Sequence, residues 1–269
     1  MRNLPWLRYL KNGVYYCFFR LAPSIGELHV PSEAWDLTKV PSGTLHRNPS
    51  IQGLWLLRGC MTEDALAKVR ALIRSLHEGS RPWHGYEMGR CMMPLHADPA
   101  LEDATLQTVT ADLDVFGSPG SRGALPQQWP RLAALRASQA PGAEELWHLQ
   151  KLAPQLIEDF GDRRCLFVQA QALEAGAEVS PHRDALPSGG DLIATVVLEG
   201  SSDVRVGSQR FEVQAGDFYA IGHAARYHVE HEVLASPRDR LSVTFRYGLS
   251  PLTALPPLAG EGLRQGATF

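Results

Sequence analysis

Residues 192–221 read LIATVVLEGSSDVRVGSQRFEVQAGDFYAI, and this stretch decides the fold class. Its short β-rich runs are separated by Gly200-Ser201, Gly207-Ser208 and Ala215-Gly216-Asp217. Short runs at intervals of about eight to twelve residues are typical of an antiparallel barrel or sandwich. Gly207-Ser208, between two alternating runs, predicts a tight hairpin.

The same rhythm continues on both sides of this stretch. Cys165–Leu173 precedes it and Leu241–Tyr247 follows it, and both are largely apolar. Further upstream, Ile51–Leu57 predicts a buried strand, after which Thr62 and two acids predict the start of a helix. Residues 80–130 are rich in proline and glycine, which predicts long surface loops.

Helical spacing marks the chain between the first strand and the β-rich part. After the helix that begins near Thr62, two more are predicted at Pro130–Ala137 and Ala143–Phe160, the second interrupted by Pro154. The predicted divisions are an irregular N-terminal arm (1–50), a single domain (51–250, with helical support in 51–164 and the β-core in 165–250) and a C-terminal tail (251–269).

Composition limits the function classes. The 269 residues are 44% hydrophobic and 20% charged, with a net charge of −3, so a disordered, collagen-like or coiled-coil protein is excluded. No global charge attracts nucleic acid, and such binding would need a local basic patch. Apolar runs are far shorter than the ~20 residues that span a bilayer, so no membrane contact is expected.

The sequence gives weaker indications of the cellular compartment and the oligomeric state. Four cysteines without a CxxC pair predict free thiols in a reducing compartment. Basic residues without acids precede Glu27, which fits either an organelle-targeting segment or the basic arm of a nuclear or cytoplasmic protein. We expect the latter, and a monomer. The basic residues are Arg2, Arg8, Lys11 and Arg20.

The last predicted strand, Arg240–Arg246, has two unlike faces. Leu241, Val243 and Phe245 point one way, while the alternate residues are polar and include both arginines. If the apolar face packs on the helices, the arginines point into the barrel, where burial is costly unless an anion meets them. A planar guanidinium binds carboxylates through two hydrogen bonds, so a small dicarboxylic acid is the expected guest. An exposed edge strand is the alternative.

His182-Arg-Asp184 places an imidazole and a carboxylate on one side of an extended segment. With a second histidine they would form the two-histidine, one-carboxylate triad of non-haem Fe(II) oxygenases. His228 is the preferred third ligand, because the twelve residues to Arg240 allow one turn between adjacent strands. His231 and His223 remain alternatives.

A second copy of the pattern, His96-Ala-Asp98, lies between prolines and lacks a strand context. It is therefore predicted to lie in a surface loop.

These motifs together resemble the AlkB-like branch of the Fe(II)/2-oxoglutarate-dependent dioxygenases. The resemblance lies in His182-x-Asp184, Gly216-Asp217, Arg226-x-His228 and Arg240-x-Ser242-x-Thr244-Phe245-Arg246, with Ser242 where the branch usually has asparagine. It implies an α+β fold: a double-stranded β-helix (a jelly-roll, cupin-like core) with N-terminal helices packed on one face. It also implies an iron-dependent oxidoreductase.

The resemblance further implies residue roles. His182, Asp184 and His228 would hold Fe(II) and carry catalysis. Arg240 would bind the distal carboxylate of the cosubstrate 2-oxoglutarate, and Arg246 would lie near Asp184. Gln171 and Ser242 would also contact the cosubstrate.

One position departs from the family pattern. Gln171-Ala-Leu173 stands where the family has N-x-Y, and Leu173 has no hydroxyl to donate. This predicts weaker or rearranged cosubstrate binding and leaves another reductant, such as ascorbate, open.

For the substrate, the resemblance implies a methyl group on a modified base in DNA or RNA, removed by oxidative demethylation. Trp83, His84 and Tyr86, in the lid stretch Arg81–Pro99, would contact the base. A phosphate-binding rim could be formed by arginines, namely Arg163, Arg164, Arg183, Arg205, Arg210 and Arg226. The alternatives are hydroxylation of a 5-methyl base, a protein side chain, a lipid or a small molecule, and a carboxylate-binding scaffold without activity.

Overall fold

A computed structural model describes residue 35 and residues 41–79, 84–86, 89–97, 132–184 and 190–248. Its N-terminal elements are strands β1 (Leu45–Arg47), β2 (Leu54–Leu57), β3 (His84–Tyr86) and β4 (Arg90–Ala97), helices α1 (Glu63–Gly79), α2 (Leu132–Ala137), α3 (Ala143–Leu149) and α4 (Leu152–Leu156), and a 3₁₀ turn (Glu158–Phe160). The C-terminal elements are strands β5 (Arg164–Leu173), β6 (Val179–His182), β7 (Leu192–Glu199), β8 (Ser201–Val206), β9 (Gln209–Gln214), β10 (Phe218–Gly222), β11 (His231–Val233) and β12 (Arg240–Gly248), with the short helix α5 (His223–Tyr227).

The strands form two antiparallel sheets. The large sheet has the order β1-β2-β10-β7-β12-β5-β4-β3, and the small sheet has the order β6-β11-β8-β9. The last eight strands are divided equally between the sheets, four to each, and neighbours in a sheet are seldom neighbours in the chain. This winding is that of a double-stranded β-helix, so the predicted jelly-roll class is confirmed.

Two apolar layers stabilise this arrangement. One lies between the sheets and includes Ile193, Val204 and Phe211. The other lies between the large sheet and the helices and includes Leu146 and Phe245. The predicted packing of the helices against one face is therefore observed, and the second face of the large sheet is left to line the barrel interior.

Local signals explain the elements that the sequence predicts well. Thr62 Oγ1 accepts a hydrogen bond from the backbone N–H of Ala65 at 3.3 Å, which caps α1 as expected. The predicted hairpin joins β8 to β9, and Gly207 at its turn has φ +55°. Asp217, after the turn at Gly216, is buried and forms an ion pair with Arg58.

The predicted loops at 80–130 are partly wrong. β4 pairs along most of β5 and β3 pairs with β4, so both belong to the large sheet. Met93 and Leu95 of β4 are fully buried, but Pro94 hides the strand pattern, since proline cannot donate to a ladder. His96 therefore lies in a strand, not in a surface loop.

Two smaller differences concern boundaries. β1 lies inside the arm predicted to be irregular and pairs with β2. The predicted helix over Ala143–Phe160 is divided into α3, α4 and the 3₁₀ turn. The tail 251–269 lies outside the described residues. Among the residues that the structure describes, no helix combines the length and apolar character needed to cross a bilayer.

Candidate metal centre and anion site

The small sheet brings two histidines together. β6 and β11 pair antiparallel, and His182 lies directly opposite His231. Their ring centroids are 4.3 Å apart. Asp184 follows β6 by two residues, so its side chain returns to the same side as His182.

His182, Asp184 and His231 form a compact cluster of ligand-type atoms. One such atom from each residue lies within 4.8 Å of the other two. Nε2 of His231 is 3.2 Å from Oδ2 of Asp184, and Nε2 of His182 is 4.0 Å from Oδ1. Two imidazoles and one carboxylate are the donors that a non-haem Fe(II) site uses. The cluster is therefore a candidate metal centre.

Arg246 fixes the carboxylate of this cluster. Its Nη2 donates to Oδ1 of Asp184 at 2.8 Å. Burial raises the pKa of a carboxyl, but the charge of Arg246 and the hydrogen bond with His231 outweigh it and hold the pKa of Asp184 well below its usual range. Asp184 is therefore ionised at neutral pH, the form that binds a cation. The predicted proximity of Arg246 to Asp184 is confirmed.

Hydrogen bonding also orients His182. Its Nδ1 lies 2.8 Å from the backbone oxygen of Ser180, which leaves Nε2 directed at the cluster. Burial, and then the neighbouring His231, lower the pKa of His182. A neutral imidazole with one nitrogen held by a carbonyl is suited to ligate a metal ion through the other.

His228 does not belong to the cluster, and this corrects the preferred prediction. The segment before it forms the short helix α5 rather than a strand, with His228 at its C-terminal cap. β11 begins only at His231, opposite His182. Partial burial and the charge of Arg183 lower the pKa of His228, whose residue surface is exposed.

His223, the other alternative, also lies elsewhere. Its Nε2 is 3.2 Å from Oδ2 of Asp159, and its ring packs 4.9 Å from that of Phe160. It therefore faces the helical layer rather than the barrel interior.

Arg226 anchors the backbone of Asp184. This arginine is 1% exposed, and its Nη1 donates to the backbone oxygen of Asp184 at 2.8 Å. Arg246 holds the carboxylate of the same residue. Two guanidinium groups thus fix Asp184 at its main chain and at its side chain.

Arg240 presents the opposite situation. It is 2% exposed on the barrel-facing side of β12, opposite Leu173. Its Nε and Nη2 are buried and have no hydrogen-bond partner among the described residues. A buried guanidinium without an acceptor is strongly destabilising, so the described part of the barrel is suited to accept an anion at this point.

Other polar groups line the same face of the large sheet. Ser242 is fully buried, its Oγ has no partner within the described part of the chain, and it lies opposite Gln171 of β5. Gln171, with its amide oxygen turned toward β4, accepts from Nε and Nη2 of Arg90 at 2.9 and 3.0 Å. Gln171 and Ser242 therefore share the face of Arg240, as a role in cosubstrate binding requires.

The predicted substrate contacts are less completely described. Trp83 lies outside the described residues, and only the backbone of His84 and Tyr86, in β3, is described. Arg183 is exposed between His182 and Asp184. Other arginines of the predicted phosphate-binding rim have protein partners: Arg163 pairs with Asp191, Arg205 with Glu232, Arg210 with Asp203, and Arg226 with the backbone of Asp184.

The contacts of two arginines near these groups were not predicted from the sequence. Arg226 stood in a recognised motif but was assigned no anchoring role, and Arg90 was hidden in a presumed loop. A signal for His231 did exist: His231-Glu-Val233 is a short run whose parity differs from that of His228. Nothing in the sequence predicted the short helix α5, which places His228 outside the cluster.

No family model and no curated protein matches the chain. Solved structures of similar shape exist at low identity. One is the non-haem alpha-ketoglutarate-dependent epimerase SnoN from nogalamycin biosynthesis (17% identity, covering 81% of this chain and 88% of that one, TM-score 0.44). Others are a prolyl-4-hydroxylase from Pseudomonas putida (17%, 73% and 92%, 0.40) and a prolyl hydroxylase from Trichoplax adhaerens, in complex with a hypoxia-inducible-factor peptide fragment (10%, 91% and 94%, 0.46).

Proposed function

We propose that this chain is an Fe(II)-dependent oxygenase that uses 2-oxoglutarate as its cosubstrate. The observation that carries the proposal is the gathering of His182, Asp184 and His231 within 4.8 Å in the barrel that also buries Arg240, whose Nε and Nη2 have no partner among the described residues. A cation and a dicarboxylic acid would satisfy both features at once.

The donor set fits the metal. Neutral imidazoles and an ionised carboxylate suit Fe(II), and three protein ligands leave coordination positions for other groups. His182 and His231 would bind through Nε2, and Asp184 through Oδ2, since Oδ1 already accepts from Arg246. When bound, Fe(II) together with 2-oxoglutarate supplies the means to oxidise a C–H bond with O₂.

Residues of the chain itself would hold the cosubstrate and the metal ligand Asp184 in position. Arg240 would pair with the distal carboxylate of 2-oxoglutarate through two hydrogen bonds, with Ser242 as a further polar contact. Arg246 and Arg226 keep Asp184 in one orientation. The apolar layer between the sheets includes Leu173, which lies opposite Arg240.

For the substrate, we propose a methyl group on a modified nucleobase in DNA or RNA. Support comes from the AlkB-like pattern of motifs and from the exposed Arg183 beside the cluster. Because several rim arginines are engaged by protein acids, a single flipped base or a short strand fits better than an extended duplex contact. The product would be a hydroxymethyl group, which an N-methyl carbon loses as formaldehyde.

Anaerobic spectroscopy distinguishes an Fe(II)-dependent enzyme from a carboxylate-binding scaffold without activity. Addition of 2-oxoglutarate to the Fe(II)-loaded chain should produce a visible metal-to-ligand charge-transfer band. The Asp184→Ala variant, with unchanged circular dichroism, should not produce it. A folded wild-type chain that gives no band would favour a carboxylate-binding scaffold and would contradict the proposal.

Mass spectrometry tests the substrate class. The active chain would be incubated with methylated DNA, RNA and nucleoside panels, with Asp184→Ala as the control. Loss of a methylene unit, or gain of one oxygen, in a nucleic-acid substrate supports the proposal. Turnover of 2-oxoglutarate without change in any panel would instead direct attention to protein or small-molecule substrates.

A further inference from the structure

Two arginines flank one residue of β5 on the barrel-facing side. Arg90 of β4 and Arg240 of β12 both lie directly opposite Leu173. Directly opposite residues project to the same face of a sheet. Since adjacent strands are ~4.8 Å apart, the two arginine backbones lie about 10 Å apart with Leu173 between them.

The guanidinium of Arg90 is turned along this face. Its Nε and Nη2 donate to the amide oxygen of Gln171 at 2.9 and 3.0 Å, and its Nη2 lies 3.6 Å from Sδ of Met92. Gln171 lies opposite Ser242, whose buried hydroxyl has no partner in the described segments. Arg90 therefore borders the same polar patch that contains Arg240.

We propose that Arg90 is the second cationic donor of the cosubstrate site, holding the distal carboxylate of 2-oxoglutarate together with Arg240. This inference rests on the proposed function. Leu173 cannot donate a hydrogen bond, and a guanidinium from the neighbouring strand fills that role from the opposite side. Gln171 keeps Arg90 in place and retains its own N–H groups for the ligand.

Ligand binding, rather than turnover, tests the inference. Binding of 2-oxoglutarate to the Mn(II)-loaded chain would be measured by calorimetry for wild type, Arg90→Gln and the matched control Arg164→Gln. Arg164 is an exposed residue at the other end of β5. We expect Arg90→Gln to weaken 2-oxoglutarate binding about 10-fold. The 2-oxoglutarate affinity of Arg164→Gln, and the Mn(II) affinity of both variants, should equal those of wild type.

A shorter ligand shows which carboxylate is involved. 2-Oxobutyrate retains the keto acid end but lacks the distal carboxylate. It should therefore bind wild type and Arg90→Gln with equal, weak affinity. A similar loss for both ligands would mean that Arg90 acts generally on the site, and it would overturn the inference.

A second substitution checks the link to Leu173. In the Arg90→Gln background, Leu173→Tyr restores a donor at the position that lacks one and should recover part of the lost affinity. Unchanged 2-oxoglutarate binding in Arg90→Gln would overturn this inference while leaving the proposed function intact. Failure of the wild-type chain to bind 2-oxoglutarate, with Arg240→Met no different, would overturn both.

Discussion

The two arginines of β12 lie on the same face of one strand, six residues apart, yet their surroundings differ. Arg246 donates to the carboxylate of Asp184 at 2.8 Å. Arg240 is 2% exposed, and two of its nitrogens have no partner among the described residues. One guanidinium is therefore held by a carboxylate of the chain, while the other has donors to spare, as the proposed cosubstrate site would require.

The largest expected effect is on cosubstrate affinity. Arg240→Met should weaken 2-oxoglutarate binding to the Mn(II)-loaded chain about 100-fold, because a buried charged hydrogen-bond partner is removed. Arg246→Met should instead weaken Mn(II) binding first, since it releases Asp184. Calorimetric titrations of both variants with Mn(II) and with 2-oxoglutarate show which affinity each substitution weakens. Equal effects of the two variants on both ligands would contradict the assignment of separate roles.

Stability of the ligand-free chain should change in opposite directions. Arg240→Met removes an uncompensated buried charge and should raise the free energy of unfolding by about 1 kcal/mol, a rise in Tm of about 3 °C. Arg246→Met leaves Asp184 buried without its cation and should cost about 2 kcal/mol. Urea unfolding without metal or 2-oxoglutarate checks both values. Destabilisation by Arg240→Met would show that a protein group already satisfies that guanidinium.

Metal affinity should also depend on the backbone anchor of Asp184. Arg226→Lys preserves the charge but replaces a planar guanidinium by a shorter-reaching ammonium. We expect Mn(II) to bind about 10-fold more weakly, as for other residues that orient metal ligands. Circular dichroism and urea unfolding should show a folded chain. The Mn(II) affinity of Arg163→Lys, a control in a partly buried ion pair with Asp191, should stay unchanged.

The smallest effect is a pH dependence of the Arg246–Asp184 pair. Because the folded-state pKa of Asp184 lies below its unfolded value of about 3.9, the pair contributes stability above that pH, and this contribution is lost as the pH falls. The stability difference between the metal-free wild type and Arg246→Met should therefore shrink between pH 5 and pH 3. A difference that stays constant over this range would show that the carboxylate is not the partner that matters.

Much of the fold follows from sequence because its signals are local. The alternation in β9, the Gly207-Ser208 turn and the Thr62 cap each act within a few residues, and each is found where it was predicted. β4 was not predicted, because Pro94 obscures a strand whose burial depends on pairing with the distant β5. Tertiary pairing, not local preference, makes that segment a strand.

The site could be predicted only in part for the same reason. His182 and Asp184 share a short extended segment, so their spacing alone placed them together. The third histidine comes from a strand whose start depends on where α5 ends. Because α5 ends at Tyr227, His228 caps the helix and His231 is the histidine that lies opposite His182. That Nε and Nη2 of Arg240 lack a partner among the described residues could not be predicted from sequence, since it depends on how distant strands pack.

One titration tests the central claim most directly. Anaerobic Fe(II) binding would be measured for wild type, His231→Ala and His228→Ala. We expect His231→Ala to lose at least ~100-fold in Fe(II) affinity, and His228→Ala to remain within about 2-fold of wild type. The reverse order, or equal binding by all three chains, would contradict a metal centre built from His182, Asp184 and His231.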